Sequence, residues 1–260
     1  MIWRRPDIGP CGLHQDVHRL KPVLEPRLSD EQYEFRTGRS THEALLAFEL
    51  LISKSIEWNA PIWFISVDLR KAFDRIEHAS LFQALLSIGL DSHYVGLLAN
   101  LYSDQRGVLG NGSTFRITRG VRQGDVLSAL LFNVALDAAL DKWRSKLNGH
   151  GLRLSDDVSI PKLTNVRYAD DLLLFSPTLS TGVEMLELLM EALADYGLEI
   201  NTKKTKIFST CPSLEGVNWS FLVECRPGFV EVVGRGDVHT YLGRSFSGNL
   251  KLRAQAALEH

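Results

Sequence analysis

Apolar residues recur at helical spacing in several windows of this sequence. Ser40, Thr41 and Glu43 form a capping-box pattern, which predicts a helix from about residue 41 to 55. The same periodicity predicts further helices at 78–88, 91–103, 126–146 and 182–196, with Gly89 and Gly197 at two of their boundaries. The helix at 126–146 has apolar residues on more than one side, so we expect it to be buried centrally.

Two strand patterns stand out between these helices. Residues 61–67 begin with a proline and are otherwise almost continuously hydrophobic, as in a buried strand. The apolar runs 163–168 and 172–175 are separated only by residues 169–171, which predicts a strand, a tight turn and a strand. Weaker patterns predict a hairpin over 108–118, strands near 198–200 and 205–209, and short strands beyond them. Because strands and helices alternate without a βαβ rhythm, we predict an α+β fold with helices on one face of an antiparallel sheet.

Composition narrows the class of protein. The chain has 260 residues, a hydrophobic content of 45% and a formal net charge of −2, so any binding of nucleic acid must be local. The sequence contains neither a membrane-span pattern nor a signal-peptide pattern, and we expect an intracellular protein without membrane contact. Its cysteines, Cys11, Cys211 and Cys225, lack the spacing of a zinc site or a disulfide framework.

Acidic residues follow two of the predicted strands. Asp68 leaves the first buried strand, and Asp170 and Asp171 lie in the tight turn. Isolated buried carboxylates take up protons, so clustered acids usually share a cation or face water. Oxygen ligands of this kind select Mg²⁺ or Mn²⁺. From these residues alone the alternative stays open that Asp68 caps the next segment and the pair only shapes a turn.

The residues around these acids match polymerase motifs. Residues 64–74 have the sequence F-I-S-V-D-L-R-K-A-F-D, residues 119–125 have R-G-V-R-Q-G-D, and residues 168–171 have Y-A-D-D. In this order they resemble motifs A, B and C of reverse transcriptases. Weaker matches to the fingers segment, motif D and motif E lie at 32–41, 197–205 and 241–243. From about residue 20 to 258, the chain resembles the enzymes of non-LTR retrotransposons of the LINE type and, more distantly, group II intron enzymes.

The resemblance implies the palm and fingers of a right-handed polymerase, with an antiparallel palm sheet backed by helices. Residues 1–60 would be part of the fingers, 61–210 the palm with inserted fingers elements, 211–250 the strands at the palm–thumb junction, and 251–260 the start of a thumb. We expect a family member truncated at both ends, because the segment before the fingers, most of the thumb and an endonuclease domain are not recognisable.

The implied activity is that of an RNA-directed DNA polymerase, which needs an RNA template, a DNA primer and dNTPs. Asp68 and Asp170 would hold two Mg²⁺ ions, or Mn²⁺, with help from the Leu69 carbonyl, and Asp171 would support them. Lys204 matches a motif D lysine that protonates the leaving pyrophosphate. A LINE-type enzyme is expected to act in the nucleus.

The resemblance also implies residues that bind substrate. Phe73 matches the aromatic residue that excludes a ribose 2′-hydroxyl by bulk, and Gln123 and Gly124 would approach the nucleotide and template closely. Arg36 and Arg39 would contact the template backbone and the triphosphate. Each has an alternative without function: a core aromatic, a plain loop or solvated surface arginines.

Three positions depart from the family pattern. Glu34 stands where a glycine is expected, and Val126 and Ala129 stand where prolines are expected. Glu34 brings negative charge towards a surface meant for nucleic acid, and the lost prolines free the backbone before the central helix. A second hypothesis therefore stays open: a catalytically inactive retroelement remnant, or a module that binds RNA or protein without catalysis.

Overall fold

The computed structural model describes residues 2–4, 19–103, 105–122, 126–211, 220–226, 228–234 and 239–246. The chain divides into two compact units, each assembled from three separated segments. Unit 1 comprises Met1–Asp30, Arg70–Lys142 and Glu191–Glu199, and unit 2 comprises Glu31–Leu69, Trp143–Met190 and Ile200–His260.

The helices follow the predicted periodicity closely. Those described are residues 19–24 (α1), Thr41–Glu57 (α2), Ala72–Arg75 (α3), His78–Ser87 (α4), Ser92–Ser103 (α5), Val126–Lys146 (α6) and Leu179–Ala194 (α7). The capping box of α2 is complete: the Ser40 hydroxyl accepts from the Glu43 backbone N–H, and the Glu43 carboxylate accepts from the Ser40 backbone N–H at 3.0 Å. No described helix is long and apolar enough to span a bilayer.

The described strands form three sheets. Their bounds are Ile2–Arg4 (β1), Trp63–Val67 (β2), Arg106–Val108 (β3), Thr114–Arg116 (β4), Asn165–Tyr168 (β5), Asp171–Ser176 (β6), Lys206–Ser209 (β7), Phe221–Cys225 (β8), Gly228–Val232 (β9), His239–Tyr241 (β10) and Arg244–Phe246 (β11). Unit 2 contains a six-stranded sheet in the order β5-β6-β2-β7-β9-β8 and the pair β10-β11, and unit 1 contains the sheet β1-β3-β4. The pairs are antiparallel except β7 with β9.

The strand prediction at 198–200 is wrong. Ile200 makes only an isolated bridge with Leu69. The reason is local: Gly197 turns the chain with a φ of +73°, and the N–H groups of Lys204 and Thr205 both donate to the Asn201 carbonyl, which starts another turn. The segment between the two turns is too short to form a strand.

The large sheet has helices on both faces. Phe48 of α2 packs edge-on against Phe64 of β2 at 5.0 Å between ring centroids. On the opposite face, Gly182 of α7 lies so close to Ile65 that a Cβ there would be 3.4 Å from its Cδ1. The prediction of helices on a single face is therefore wrong, and the nearly continuous apolar character of residues 63–67 is the physical cause, because such a strand buries both faces.

Unit 1 has a core of its own. His78 of α4 and Tyr102 of α5 meet edge to face at 5.1 Å between ring centroids. Gly120, with a φ of +88°, approaches α3 so closely that a Cβ would lie 2.7 Å from the Asp74 carbonyl oxygen. Glycine is therefore required at this position.

Candidate active site

Asp68 is fixed by its backbone at the end of β2. Its carbonyl oxygen accepts from the Asn201 N–H at 2.7 Å, and its own N–H donates to Thr205 Oγ1 at 3.2 Å. Leu69 is buried and lies opposite Ile200 in an isolated antiparallel β-bridge. The hydrogen bonds of this bridge use neither the N–H nor the carbonyl group of Leu69. The side chain of Asp68 stays 38% exposed, so its carboxylate remains accessible to a ligand.

Asp170 lies in the two-residue turn that joins β5 to β6. The flanking residues Tyr168 and Asp171 pair directly, and Ala169 adopts a φ of +52°. Positive φ at the first central position of such a turn is normally supplied by glycine, so the turn is strained. Asp171 follows as the exposed first residue of β6.

The three aspartates form one electrostatic group. Partial burial raises the pKa of Asp170; a hydrogen bond from its own backbone N–H opposes this rise, and the charge of Asp68 adds to it. Although Asp171 keeps contact with solvent, partial desolvation of its carboxyl group, then the charges of Asp170 and of Asp68, raise its pKa. Because β6 pairs with β2, the turn and the end of β2 share one edge of the sheet.

Glu34 adds a fourth carboxyl group to this environment. Burial is the largest cause, followed by the charges of Asp170 and Asp171, and together they raise the pKa of Glu34 from 4.5 to about 7. The departure from the family pattern at residue 34 therefore places a titratable group beside the turn. The sequence suggested extra negative charge here but gave no sign of this perturbed titration.

Gln32 connects this segment to the turn. Its side chain is only 1% exposed, and its Oε1 accepts from the N–H of Ala169 at 3.2 Å and from the N–H of Glu34 at 3.1 Å. On either side, the Tyr33 N–H donates to the Arg167 carbonyl, and the Arg167 N–H donates to the Glu31 carbonyl, both at 3.0 Å. Sequence reasoning placed Gln32 in a motif but assigned it no role.

Lys204 brings a positive charge to Asp68. Its Nζ lies 3.9 Å from Asp68 Oδ1, and its side chain is 71% exposed. The neighbouring Thr205 is fully buried and holds the Asp68 N–H, a contact that sequence reasoning did not find. The only signal was its place next to the predicted lysine.

The two predicted arginines lie on the segment that follows Gln32. An Nη1 of Arg36 lies 3.5 Å from the Gln32 carbonyl oxygen, a long hydrogen bond. The guanidinium of Arg39 lies 5.2 Å from the centroid of the Tyr33 ring, in cation–π geometry. Both side chains retain some exposure, so their guanidinium groups can still reach a phosphate.

The remaining predicted residues belong to unit 1. Phe73 is half-buried and stacks on Phe132 at 4.3 Å between ring centroids. Its packing agrees with the core-aromatic alternative and leaves the proposed contact with a sugar as a prediction. Gln123 and Gly124 lie outside the described residues.

Tyr241 is a second buried polar residue that sequence reasoning left without a role. Its ring packs on Phe48 at 5.7 Å between centroids, and its pKa is raised by burial, then by Asp171 and Tyr33. Among the described residues its hydroxyl has no hydrogen-bond partner.

The carboxylates of the site fit a divalent cation whose other ligands come from the substrate. The described part of the chain contains no group of three or more histidine, cysteine, aspartate or glutamate side chains placed to hold an ion alone. Mg²⁺ is commonly held by one or two carboxylates together with substrate phosphates and water. Asp68 and Asp170, two carboxylates at the same edge of the sheet, match that arrangement.

Comparison with known proteins identifies the family of the chain. A family model described as reverse transcriptase (RNA-dependent DNA polymerase) matches residues 15–243. The chain therefore belongs to the reverse transcriptase family, and by family it is a nucleotidyltransferase. This confirms the resemblance drawn from motifs A to C.

Individual relatives are retroelement proteins. The chain is 31% identical over 204 residues to a Retrovirus-related Pol polyprotein from type-1 retrotransposable element R2 of Popillia japonica, covering 75% of this chain and 27% of that protein. It is 28% identical over an alignment of 261 positions to a Retrovirus-related Pol polyprotein from type-2 retrotransposable element R2DM of Drosophila melanogaster, covering 93% of this chain and 23% of the relative. The chain thus spans about a quarter of these relatives.

Solved structures support the fold. A telomerase from Candida tropicalis, in complex with the TWJ fragment of telomeric RNA, superposes with a TM-score of 0.58 at 14% identity, covering 92% of this chain and 36% of that one. An apo telomerase from the same species, truncated from its C-terminal domain, gives 0.54. At this identity the likeness concerns the fold, and it confirms the predicted α+β right-hand polymerase architecture.

Proposed function

We propose that this chain is the polymerase core of a retrotransposon reverse transcriptase. It would extend a DNA primer with dNTPs on an RNA template. The observation that carries the proposal is the position of Asp68, Asp170 and Asp171 at one edge of the six-stranded sheet, where burial and then neighbouring negative charge, including that of Asp68, raise the pKa of Asp170 and of Asp171. Family membership and the R2 relatives support the same conclusion.

Two Mg²⁺ or Mn²⁺ ions are the proposed cofactors, held by Asp68 and Asp170 with the Leu69 carbonyl, and with Asp171 in support. When bound, such ions supply activation of the primer 3′-hydroxyl and neutralise charge on the leaving pyrophosphate. The protein's own part is to hold the carboxylates ready at the sheet edge. The unused backbone groups of Leu69 at its bridge support its inclusion.

Other side chains act on the substrates in this proposal. Lys204 donates a proton to the leaving pyrophosphate, which its exposure and its position beside Asp68 permit. Arg36 and Arg39 bind phosphate groups of the template or nucleotide. Phe73 excludes the ribose 2′-hydroxyl, and Gln123 and Gly124 approach the nucleotide and template.

The domain assignment and the site of action belong to the same proposal. Residues 1–60 are partial fingers, 61–210 the palm, 211–250 the junction with the thumb, and 251–260 the start of the thumb. The R2 relatives are about four times longer than the matched region, which supports additional domains in a full-length protein. By the same family argument, the nucleus is the proposed location.

Primer extension tests the proposal directly. The chain is incubated with poly(rA)/oligo(dT), dTTP and either Mg²⁺ or Mn²⁺, in parallel with Asp68→Ala, Asp170→Ala and the control Asp157→Ala. Asp157 is exposed and pairs only locally with Ser159. We expect metal-dependent incorporation that both site variants abolish and the control retains. A folded wild-type chain that incorporates nothing would instead support the inactive remnant or non-catalytic binding module.

A further inference from the structure

Gln32 occupies an unusual position for a residue without an assigned role. It is 137 residues from Ala169 in sequence, yet its side-chain oxygen accepts the Ala169 N–H in the turn that carries Asp170. The side chain is 1% exposed, so water does not substitute for it easily. Buried backbone N–H groups are nearly always paired, and this pairing comes from a distant segment.

The turn needs such support. Ala169 adopts a φ of +52°, a conformation that its Cβ disfavours, and it is buried. Strained backbone persists only where surrounding contacts over-determine it. Here the contacts are the direct pairing of Tyr168 with Asp171 and the hydrogen bond to Gln32.

The segment that carries Gln32 is itself held against β5. Glu31 and Tyr33 form backbone hydrogen bonds with Arg167 at 3.0 Å. These bonds pair Gln32 with Arg167 of β5 in a parallel β-bridge. The same Oε1 also accepts the Glu34 N–H at 3.1 Å. One oxygen atom therefore connects two backbone segments at the acidic edge of the sheet.

We propose that Gln32 is a positioning residue, whose side-chain oxygen fixes the Ala169 N–H and thereby sets the position of the Asp170 carboxylate. This inference rests on the proposed function for its catalytic consequence. Its structural consequence, a turn fixed by Gln32, can be measured without any activity. A small displacement of a reacting group lowers turnover strongly, while it leaves nucleotide affinity nearly unchanged.

Three variants separate positioning from general stability. Gln32→Met keeps the length of the side chain and removes the acceptor, whereas Gln32→Glu keeps an acceptor oxygen and, buried beside the acids, takes up a proton and stays neutral. Gln105→Met is the matched control, because Gln105 is also 1% exposed and its amide donates to the Leu101 carbonyl in unit 1. Circular dichroism verifies that each variant is folded.

The first measurement is amide hydrogen exchange of Ala169, followed by NMR on protein labelled with ¹⁵N-alanine. We expect Gln32→Met to lower protection of the Ala169 N–H about tenfold, and Gln32→Glu and Gln105→Met to leave it within about threefold of wild type. Unchanged protection in Gln32→Met, or equal loss in Gln105→Met, would overturn the positioning role.

The second measurement is single-turnover primer extension. We expect Gln32→Met to slow extension about 30-fold with little change in the half-saturating dTTP concentration, and Gln32→Glu to recover most of that rate. Wild-type rates in Gln32→Met, from an active protein, would overturn the inference while the proposed function stands. Inactive wild-type protein would overturn the function, and hydrogen exchange would still decide whether Gln32 holds the turn.

Discussion

The two regions that carry the acids hold them in different ways. Asp68 ends a central strand, and a nearby turn holds its backbone through Asn201 and Thr205. Asp170 lies in a strained turn at the end of a hairpin, and its neighbour Ala169 depends on a side chain 137 residues away. The first carboxylate lies at the end of a strand with ordinary backbone geometry and the second in a turn with positive φ, and distant segments of the chain hold both.

Their electrostatic surroundings differ as well. Asp68 has the ammonium group of Lys204 at 3.9 Å. Within the described ranges Asp170 and Asp171 make no ion pair, and the pKa values of both are raised. The hairpin therefore holds negative charge that a bound cation can neutralise. At the end of β2, Lys204 already neutralises part of the charge of Asp68.

Neutralising either acid should have the largest effect. Asp68→Asn and Asp170→Asn should each lower primer extension by about 10³-fold or more, because a ligand of the reacting centre is lost. Their stabilities should differ: Asp170→Asn should stabilise the metal-free protein by about 1 kcal/mol, since it removes the cost of partly burying a charge and then the repulsion from Asp68, and Asp68→Asn should change stability by less than about 0.5 kcal/mol. Urea denaturation with EDTA measures this. Equal stability changes would remove the electrostatic difference between the two regions.

The next largest effect is expected from the backbone strain at Ala169. Ala169→Val should destabilise the protein by about 2 kcal/mol, because a β-branched side chain rarely adopts positive φ. Ala169→Gly, which tolerates this conformation, is the control and should stay within about 1 kcal/mol of wild type. If Ala169→Val is as stable as Ala169→Gly in thermal unfolding, the turn is not strained.

Glu34 should make stability depend on pH. Its pKa is 4.5 ordinarily and about 7 in the folded protein, so the folded state binds more protons between these values. Stability should therefore fall as pH rises from about 4.5 to about 7, by roughly 2 kcal/mol after allowance for partial exposure. Glu34→Gln should remove this part of the fall in metal-free urea titrations. The same pH slope in both proteins would show that Glu34 is not the group responsible.

The backbone contact at Asp68 should give the smallest effect. Thr205→Val keeps the shape of the buried side chain and removes the acceptor of the Asp68 N–H, which should cost about 1 kcal/mol. Thr202→Val, in the adjoining turn and only half-buried, is the matched control. Chemical denaturation compares the two, and an equal loss in both would argue against a specific role for the Thr205 hydroxyl.

Much of the fold could be predicted because its signals are local. The capping box at Ser40, the apolar run at 61–67 and the turn at 169–171 each specify an element through neighbouring residues. The apolar pattern did not lead us to predict that helices cover both faces of the sheet, although both Phe64 and Ile65 are apolar. The parallel pairing of β7 with β9 could not be predicted, since register between distant strands depends on tertiary packing.

The site could be predicted only as far as its motifs extend. The aspartates stand at strand ends that periodicity alone reveals, and their types suggest a cation site. The contacts of Gln32 with Ala169 and of Thr205 with Asp68 join residues 137 positions apart. No local pattern encodes such contacts, and the perturbed pKa of Glu34 likewise arises from burial and charges that only the folded chain brings together.

Iron-mediated backbone cleavage tests most directly whether both regions bind the same metal. Fe²⁺ replaces Mg²⁺ in a complex of the chain with a dideoxy-terminated primer, RNA template and dTTP, and ascorbate with peroxide then generates hydroxyl radicals at the bound ion. The predicted result is cleavage near both Asp68 and Asp170, suppressed by Mg²⁺ and lost at both places in either Asp→Asn variant. Cleavage near only one of them, or none in a folded complex, would contradict a shared metal site.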